Sequence, residues 1–389
     1  MKYFFQLGSH PEISIAEIKA VFPQITTQLV ASDILMVESK ENIDTLETIK
    51  RLGGTIKIGL ITKELNKPRL KEMLDAIADE LKPKAEMAES KFPYGLSQYG
   101  GGKWNLKVLG METKKELQAA GISSRWVTGQ EATLSSVVVE QNHLLDKGAE
   151  VIIINSQDKI YIGRTLVVQL FKELSARDYG RPGRDDYSGM LPPKLAQMMI
   201  NLAGQDMKAT ILDPFCGSGT ILAESWLMGY QKIYGSDLSS KAIADTSTNL
   251  RWLAEKLKLK PIKLELETIS ATEISKWLKP NSVDAIITEP YLGPARNQDN
   301  LGRIVSELDH LYAQTLKEML RVIKPTGVVV MLWPVFVKSN PATKINPSFS
   351  GWKLIQTENE NRITKRHTLI YGRVGQKVWR EIVILKPVK

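Results

Sequence analysis

The run Asp213-Pro214-Phe215-Cys216-Gly217-Ser218-Gly219-Thr220 holds the residue types best suited to chemistry in this chain. The apolar run Ala209 to Leu212 ends in a carboxylate, two glycines follow at a spacing of two, and an amphipathic helix is predicted from Thr220 to Leu227. Strand, tight glycine turn and helix N-terminus together form the nucleotide-binding corner of a doubly wound sheet. Glycines there let a ligand approach the backbone, because no Cβ intervenes. No Gly-Lys-Ser/Thr follows, so the turn is not a phosphate loop. Only one Gly-x-Gly is present and an acid precedes it, which argues against the dinucleotide form. An acid at that point repels a pyrophosphate and suits a cationic amine. That chemistry points to S-adenosylmethionine, whose methionine part carries an ammonium group. Asp213, Pro214, Phe215, Gly217, Gly219 and Thr220 are the expected contacts.

A second short apolar strand, Lys232 to Ser236, ends in Asp237, roughly 20 residues past the glycines, where such folds hold a ribose diol. Leu238 beside it is taken as a further cofactor contact. The bland alternative is a Rossmann-type corner without a ligand; two acids at two strand ends, in the right order, speak against it. Cys216, inside the turn, reads as a small packing residue rather than a nucleophile.

Arg181-Pro182-Gly183, the segment Leu191-Pro192-Pro193-Lys194-Leu195-Ala196 and the run from Asp213 to Thr220 together resemble the THUMP-domain class I RNA methyltransferases, which modify tRNA guanine at N2. The matching motifs span residues 177–293. The resemblance implies S-adenosylmethionine as cofactor, tRNA as partner, and an Arg-Pro-Gly segment packed over the cofactor. It also implies an Asp/Asn/Ser-Pro-Pro-Tyr/Phe motif at the fourth strand tip. This chain has Thr288-Glu289-Pro290-Tyr291-Leu292-Gly293-Pro294 there, without the usual acid or amide and with one proline fewer.

Two registers fit. Either Glu289 replaces the Asp with a longer carboxylate, or Thr288 takes the first position and the Glu289 carbonyl accepts the amine proton. Glu289 is favoured, because a carboxylate is the stronger acceptor. It forms the expected catalytic tip with Pro290 and with Tyr291, which would stack on the target base. A strand-ending turn with a surface glutamate is the plain alternative. Many relatives carry an Asp after the third strand for the adenine amine; here Ser270 stands in its place as a weaker contact. Trp333-Pro334 either walls the pocket or is core. The competing functions are a DNA or rRNA amino-methyltransferase, acting on adenine N6 or guanine N2, and a non-catalytic RNA-binding relative with a degenerate acceptor loop.

The expected fold class is α/β. Residues 1–66 read as β-α-β-β-α-β, a ferredoxin-like unit. Residues 67–172 read as a THUMP-like RNA-binding domain, with a helix over 134–145 and a hairpin turning at Gln157-Asp158. The charged, glycine-rich stretch 173–188, including Asp185 and Asp186, is expected as a linker. Residues 189–389 alternate β and α and end in a hairpin around Val374-Gly375-Gln376. That pattern predicts a Rossmann-like, seven-stranded methyltransferase sheet whose last strands are antiparallel.

The net charge of +9 lies entirely in residues 176–389, which hold 30 basic and 21 acidic side chains, whereas residues 1–175 balance at 22 each. A basic surface concentrated near a catalytic domain suggests a polyanionic partner. No apolar run reaches membrane-spanning length, and Met1 to Gly8 is too short and too quickly polar for a signal peptide. One cysteine excludes an internal disulfide, so a cytoplasmic location is expected. No His/Cys cluster has metal spacing, so no metal is expected.

Overall fold

The computed structural model describes residues 1–102, 104–157, 159–184, 190–294, 299–337, 342–357 and 365–388. Asp158, Asp185 and Asp186, expected in the turn and the linker, lie outside them. The chain divides into two compact units, Met1–Ile15 with Phe22–Phe171, and Ala16–Val21 with Lys172–Lys389.

The chain begins with β1 (Lys2–Leu7), α1 (Pro11–Val21), β2 (Thr26–Ala31), β3 (Ile34–Glu38), α2 (Thr45–Arg51) and β4 (Thr55–Asn66), all but the last six residues of α1 falling in the first unit. These strands lie in the order β2-β3-β1-β4, each antiparallel to its neighbour, as the ferredoxin-like reading requires. Next come α3 (Leu70–Ala85), β5 (Phe92–Tyr99), α4 (Leu106–Ala119), β6 (Ser124–Val127), α5 (Ser136–Gln141), β7 (Ala149–Ser156) and β8 (Lys159–Val168). Their strands continue the same sheet as β8-β7-β5-β6, with β8 antiparallel to β4. Residues 1–66 and 67–172 therefore share one eight-stranded sheet. The physical reason is β4: twelve residues long, it would leave an open edge beyond β1, and an open edge is a ready template for pairing.

α5 is shorter than the helix expected over 134–145. Ser135 caps it by accepting from Val138 N, and the three valines that follow are poor helix formers. Beneath this region Lys57 and Glu150 form a buried ion pair at 2.6 Å. Ser97 and Thr165 hydroxyls also donate to Glu150, at 2.5 and 2.6 Å, and Lys57 Nζ donates to the Leu134 carbonyl at 2.6 Å. Charges this deep persist only when such extra bonds offset their lost hydration.

The second unit contains α6 (Phe171–Tyr179), α7 (Pro193–Leu202), β9 (Thr210–Asp213), α8 (Thr220–Leu227), β10 (Lys232–Asp237), α9 (Ser240–Leu257), β11 (Lys263–Thr268), a 3-10 turn (Ala271–Lys276), β12 (Val283–Thr288), α10 (Leu301–Val322), β13 (Ile323–Phe336), β14 (Thr343–Lys344), β15 (Trp352–Leu354), β16 (Leu369–Tyr371) and β17 (Val378–Pro387). The main path of its sheet is β11-β10-β9-β12-β13-β17-β15, seven strands, with short β14 and β16 added on β13 and β17. β9 to β13 pair in parallel, and β17 runs antiparallel to β13. This is the Rossmann-like sheet with an antiparallel last strand.

α6 corrects part of the linker expectation. Arg177 forks onto the buried Glu224 of α8, Nε to Oε1 at 2.7 Å and Nη2 to Oε2 at 3.2 Å, and Leu174 is buried. Arg177, expected in the linker, is instead paired with the domain.

The core beside the site packs α10 on the sheet. Leu308, Tyr312, Leu316, Met319 and Val322 recur at helical spacing against Leu212, Ile286, Val329 and Met331. β13 is buried from Val328 to Phe336, as a central strand covered on both faces must be. Among the described residues no helix is long and apolar enough to cross a membrane.

Candidate active site

From β9 the chain runs outward to β10 and β11, then returns to β12 on the other side of β9. The strand order reverses there, and clefts in such sheets open at the carboxyl ends of the two diverging strands. Asp213 ends β9 and Thr288 ends β12, both buried. Thr288 Oγ1 donates to Asp213 Oδ1 at 2.7 Å, and Phe215 N donates to the same oxygen at 3.1 Å.

The glycine turn is fixed from behind by α9. Gly219, at the N-cap of α8, has φ +86°, and a Cβ there would stand 3.0 Å from the Thr246 side chain. Thr246 Oγ1 donates to the Gly217 carbonyl at 2.7 Å, and Asn249 Nδ2, one helical turn on, donates to the Ser218 carbonyl at 2.8 Å. Pro214 is buried and Phe215 partly so. Cys216 is buried, and burial beside Asp213 and Asp237 pushes its thiol up, so it is no thiolate.

Asp237, the last residue of β10, joins the turn. Its Oδ2 accepts from Gly217 N at 3.0 Å and its Oδ1 from Ser239 N at 2.9 Å. Leu238 follows with its apolar side chain 76% exposed. The Arg181-Pro182-Gly183 segment packs onto the same corner. Arg181 Nη1 donates to Thr220 Oγ1 at 2.6 Å, while Gly183 N donates to Asn249 Oδ1 at 2.7 Å and its carbonyl accepts from Asn249 Nδ2 at 2.8 Å. Ser270 stands apart: its hydroxyl shares a 2.8 Å bond with Thr272 Oγ1 and caps its own 3-10 turn.

At the tip of β12, Glu289 Oε1 accepts from Arg380 Nε of β17 at 2.5 Å. Pro290 is buried, and Tyr291 is 58% exposed, with its carbonyl accepting from Tyr312 Oη at 3.2 Å. Trp333 is core: it is buried against Tyr312 and Phe349, with the Arg366 guanidinium 5.1 Å from its ring centre.

Burial pushes the Asp213 carboxyl up to about 7; the bonds from Thr288 and Phe215 oppose this, and the charges of Asp237 and Glu289 add to it. Burial also raises Glu289, with Arg380 opposing. Three acids therefore gather at the ends of β9, β10 and β12, an arrangement that favours a cation. Thr288 commits its hydroxyl proton to Asp213.

Sequence reasoning missed Arg380, Thr246 and Asn249. Arg380 and Glu381 interrupt the apolar residues of β17, which was the available signal for the first. Thr246 and Asn249 carried only polar residues at helical spacing beside the buried Leu250 and Leu253.

Residues 181–344 match the family described as UPF0020, RMKL-like, methyltransferase domain. Residues 66–247 also match a family described as DNA methylase. The chain is 24% identical over 330 residues to the tRNA (guanine(10)-N2)-dimethyltransferase of Pyrococcus abyssi, covering 83% of this chain and 86% of that protein. It is 30% identical over 183 residues to the protein of the same name from Methanocaldococcus jannaschii, an alignment spanning 45% of this chain and 48% of that one. The fold is that of TrmN from Thermus thermophilus, whose crystal structure superposes over the whole of both chains with a TM-score of 0.58 at 19% identity. The resemblance to THUMP-class tRNA methyltransferases thus holds in sequence and in fold.

Proposed function

We propose that this protein is an S-adenosylmethionine-dependent RNA methyltransferase that methylates the exocyclic N2 of guanine in tRNA. One observation carries the reading: the Thr288–Asp213 bond joins the end of the glycine-turn strand to the start of the acceptor loop, so both halves of the chemistry share one cleft. The tRNA-methylating relatives support the substrate, and the excess positive charge of residues 176–389 supports an RNA partner.

The residues of the corner fit the cofactor. Gly219 sits in a cradle that a Cβ would fill, Asp213 is a buried acid awaiting a cation, Asp237 keeps carboxylate lone pairs for a diol, and Leu238 offers apolar surface for a base. Bound there, S-adenosylmethionine supplies an electrophilic methyl group on a sulfonium.

Every other part of the work falls to the chain. A guanine amine is a weak nucleophile, because its lone pair is delocalised into the ring. Glu289 accepts a hydrogen bond from that amine, orients it, and opposes the positive charge that develops on nitrogen. Pro290 fixes the loop backbone, and Tyr291, exposed and anchored by its carbonyl, stacks on the base. A base in a tRNA stem must leave its stack to reach this tip. The THUMP-like residues 67–172 and the basic C-terminal region hold the RNA backbone meanwhile. We infer a cytoplasmic setting from the single cysteine, which makes no internal disulfide.

The test is incubation with methyl-labelled cofactor and total tRNA, followed by digestion to nucleosides. Label in N2-methylguanosine or N2,N2-dimethylguanosine is expected. Label confined to DNA, or to N6-methyladenosine, rejects the substrate.

A further inference from the structure

Glu289 is the residue by which this acceptor loop departs furthest from the motif it resembles, and its partner comes from the other end of the domain. Arg380 lies on β17, opposite Pro334 of β13, and its side chain reaches past β13 to the tip of β12. Both side chains of the 2.5 Å pair are largely covered, 13% and 14% exposed. The neighbouring acid does not compete for this arginine. Glu381 is buried and satisfied on its own by Thr368 Oγ1 at 2.6 Å and Arg366 Nη1 at 2.7 Å.

The pairing has a chemical asymmetry. It engages Oε1 of the carboxylate and Nε of the guanidinium. No described residue donates to Glu289 Oε2, and that oxygen is not among the polar atoms sealed from solvent. Arg380 from β17 acts on Glu289, whose own charge is felt by Asp213 of β9 and by the Tyr312 phenol of α10. Of these only the arginine favours the ionised carboxylate. Burial works against it.

We infer that Arg380 is a positioning residue for methyl transfer: its guanidinium clamps Glu289 through Oε1 and so presents Oε2, ionised and fixed, to the guanine amine. This rests on the function proposed above. Without the clamp burial shifts the carboxyl towards its protonated form, and a protonated oxygen donates where the amine needs an acceptor. A free Glu289 would also have several rotamers, of which few face the amine. β17 thereby becomes part of the acceptor site, although its sequence bears no methyltransferase motif.

The experiment compares wild type, Arg380→Gln, Arg380→Lys, Glu289→Gln and the double variant Glu289→Gln/Arg380→Gln on tRNA across pH. Arg380→Gln is expected to lower kcat about a hundredfold at neutral pH, to leave KM for tRNA and cofactor affinity within about twofold, and to move the acid limb of kcat upward by about one pH unit or more. Arg380→Lys restores most of the rate, and the double variant is no slower than Glu289→Gln, because both changes remove one device. A KM effect alone, an unshifted acid limb, or additive losses would each overturn the inference. A second readout needs no RNA: the carbon-13 shift of the Glu289 carboxyl, assigned by its loss in Glu289→Gln and followed against pH. An upward move of about one unit or more in Arg380→Gln is expected, and an unmoved titration refutes the clamp. If wild type methylates no RNA, the functional reading fails while this titration still decides the role of Arg380.

Discussion

Thr288 Oγ1 donates to Asp213 Oδ1 at 2.7 Å, and this bond joins the two strand ends on which the candidate site is built. Both groups are buried, so removing the donor leaves Asp213 Oδ1 with only the Phe215 amide, a loss of about 0.5–1.5 kcal/mol. Thr288→Val should weaken cofactor binding by roughly tenfold in calorimetry, and Thr288→Ser should preserve it. Equal affinity in all three proteins would separate the two strand ends functionally.

The pH behaviour of the unliganded protein follows from Asp213. Its folded pKa, about 7, lies above the unfolded value of about 3.9. Between those values the folded state holds a proton that the unfolded state has released. The contribution of Asp213 to stability is therefore full below about pH 4 and is lost as pH rises towards 7. Asp213→Asn should flatten the fall in melting temperature over that window. A cationic ligand reverses the preference, so cofactor binding near pH 6 should release a proton. Calorimetry in buffers of different ionisation enthalpy measures it.

Gly219→Ala tests the cradle. The new methyl meets Thr246 at 3.0 Å on a backbone of φ +86°, which alanine resists. A loss of about 1–3 kcal/mol in stability and a clear drop in cofactor affinity are expected, read by chemical denaturation and calorimetry.

In the first unit, Lys57→Met should strand the Glu150 charge in the core and cost about 3–5 kcal/mol. Urea unfolding of that unit should show it. The double variant Lys57→Met/Glu150→Met should recover much of the loss, because the buried charge leaves with its partner.

Much of this was legible because local rules and the fold agree. The acids of Asp213 and Asp237 and the glycines between them occupy strand ends and a turn that their own sequence dictates, and both acids bond to that turn. The β-α-β-β-α-β order likewise sufficed for the strand order of the first four strands. Three things escaped. The twelve-residue β4 joins what looked like two domains, because strand composition does not say which element will cover its second edge. Arg177 read as part of a charged linker, since nothing local reveals that Glu224 awaits it. Arg380 meets Glu289 across 91 positions of sequence, a register set only when β17 inserts antiparallel beside β13. Ser270, read as a weaker adenine contact, caps its own 3-10 turn.

The most direct test of the whole account is single-turnover methyl transfer to tRNA by Glu289→Gln, with cofactor affinity measured on the same preparation. If Glu289 receives the amine, the rate should fall about a hundredfold or more while the dissociation constant stays within about twofold of wild type. Undiminished transfer by Glu289→Gln would contradict it.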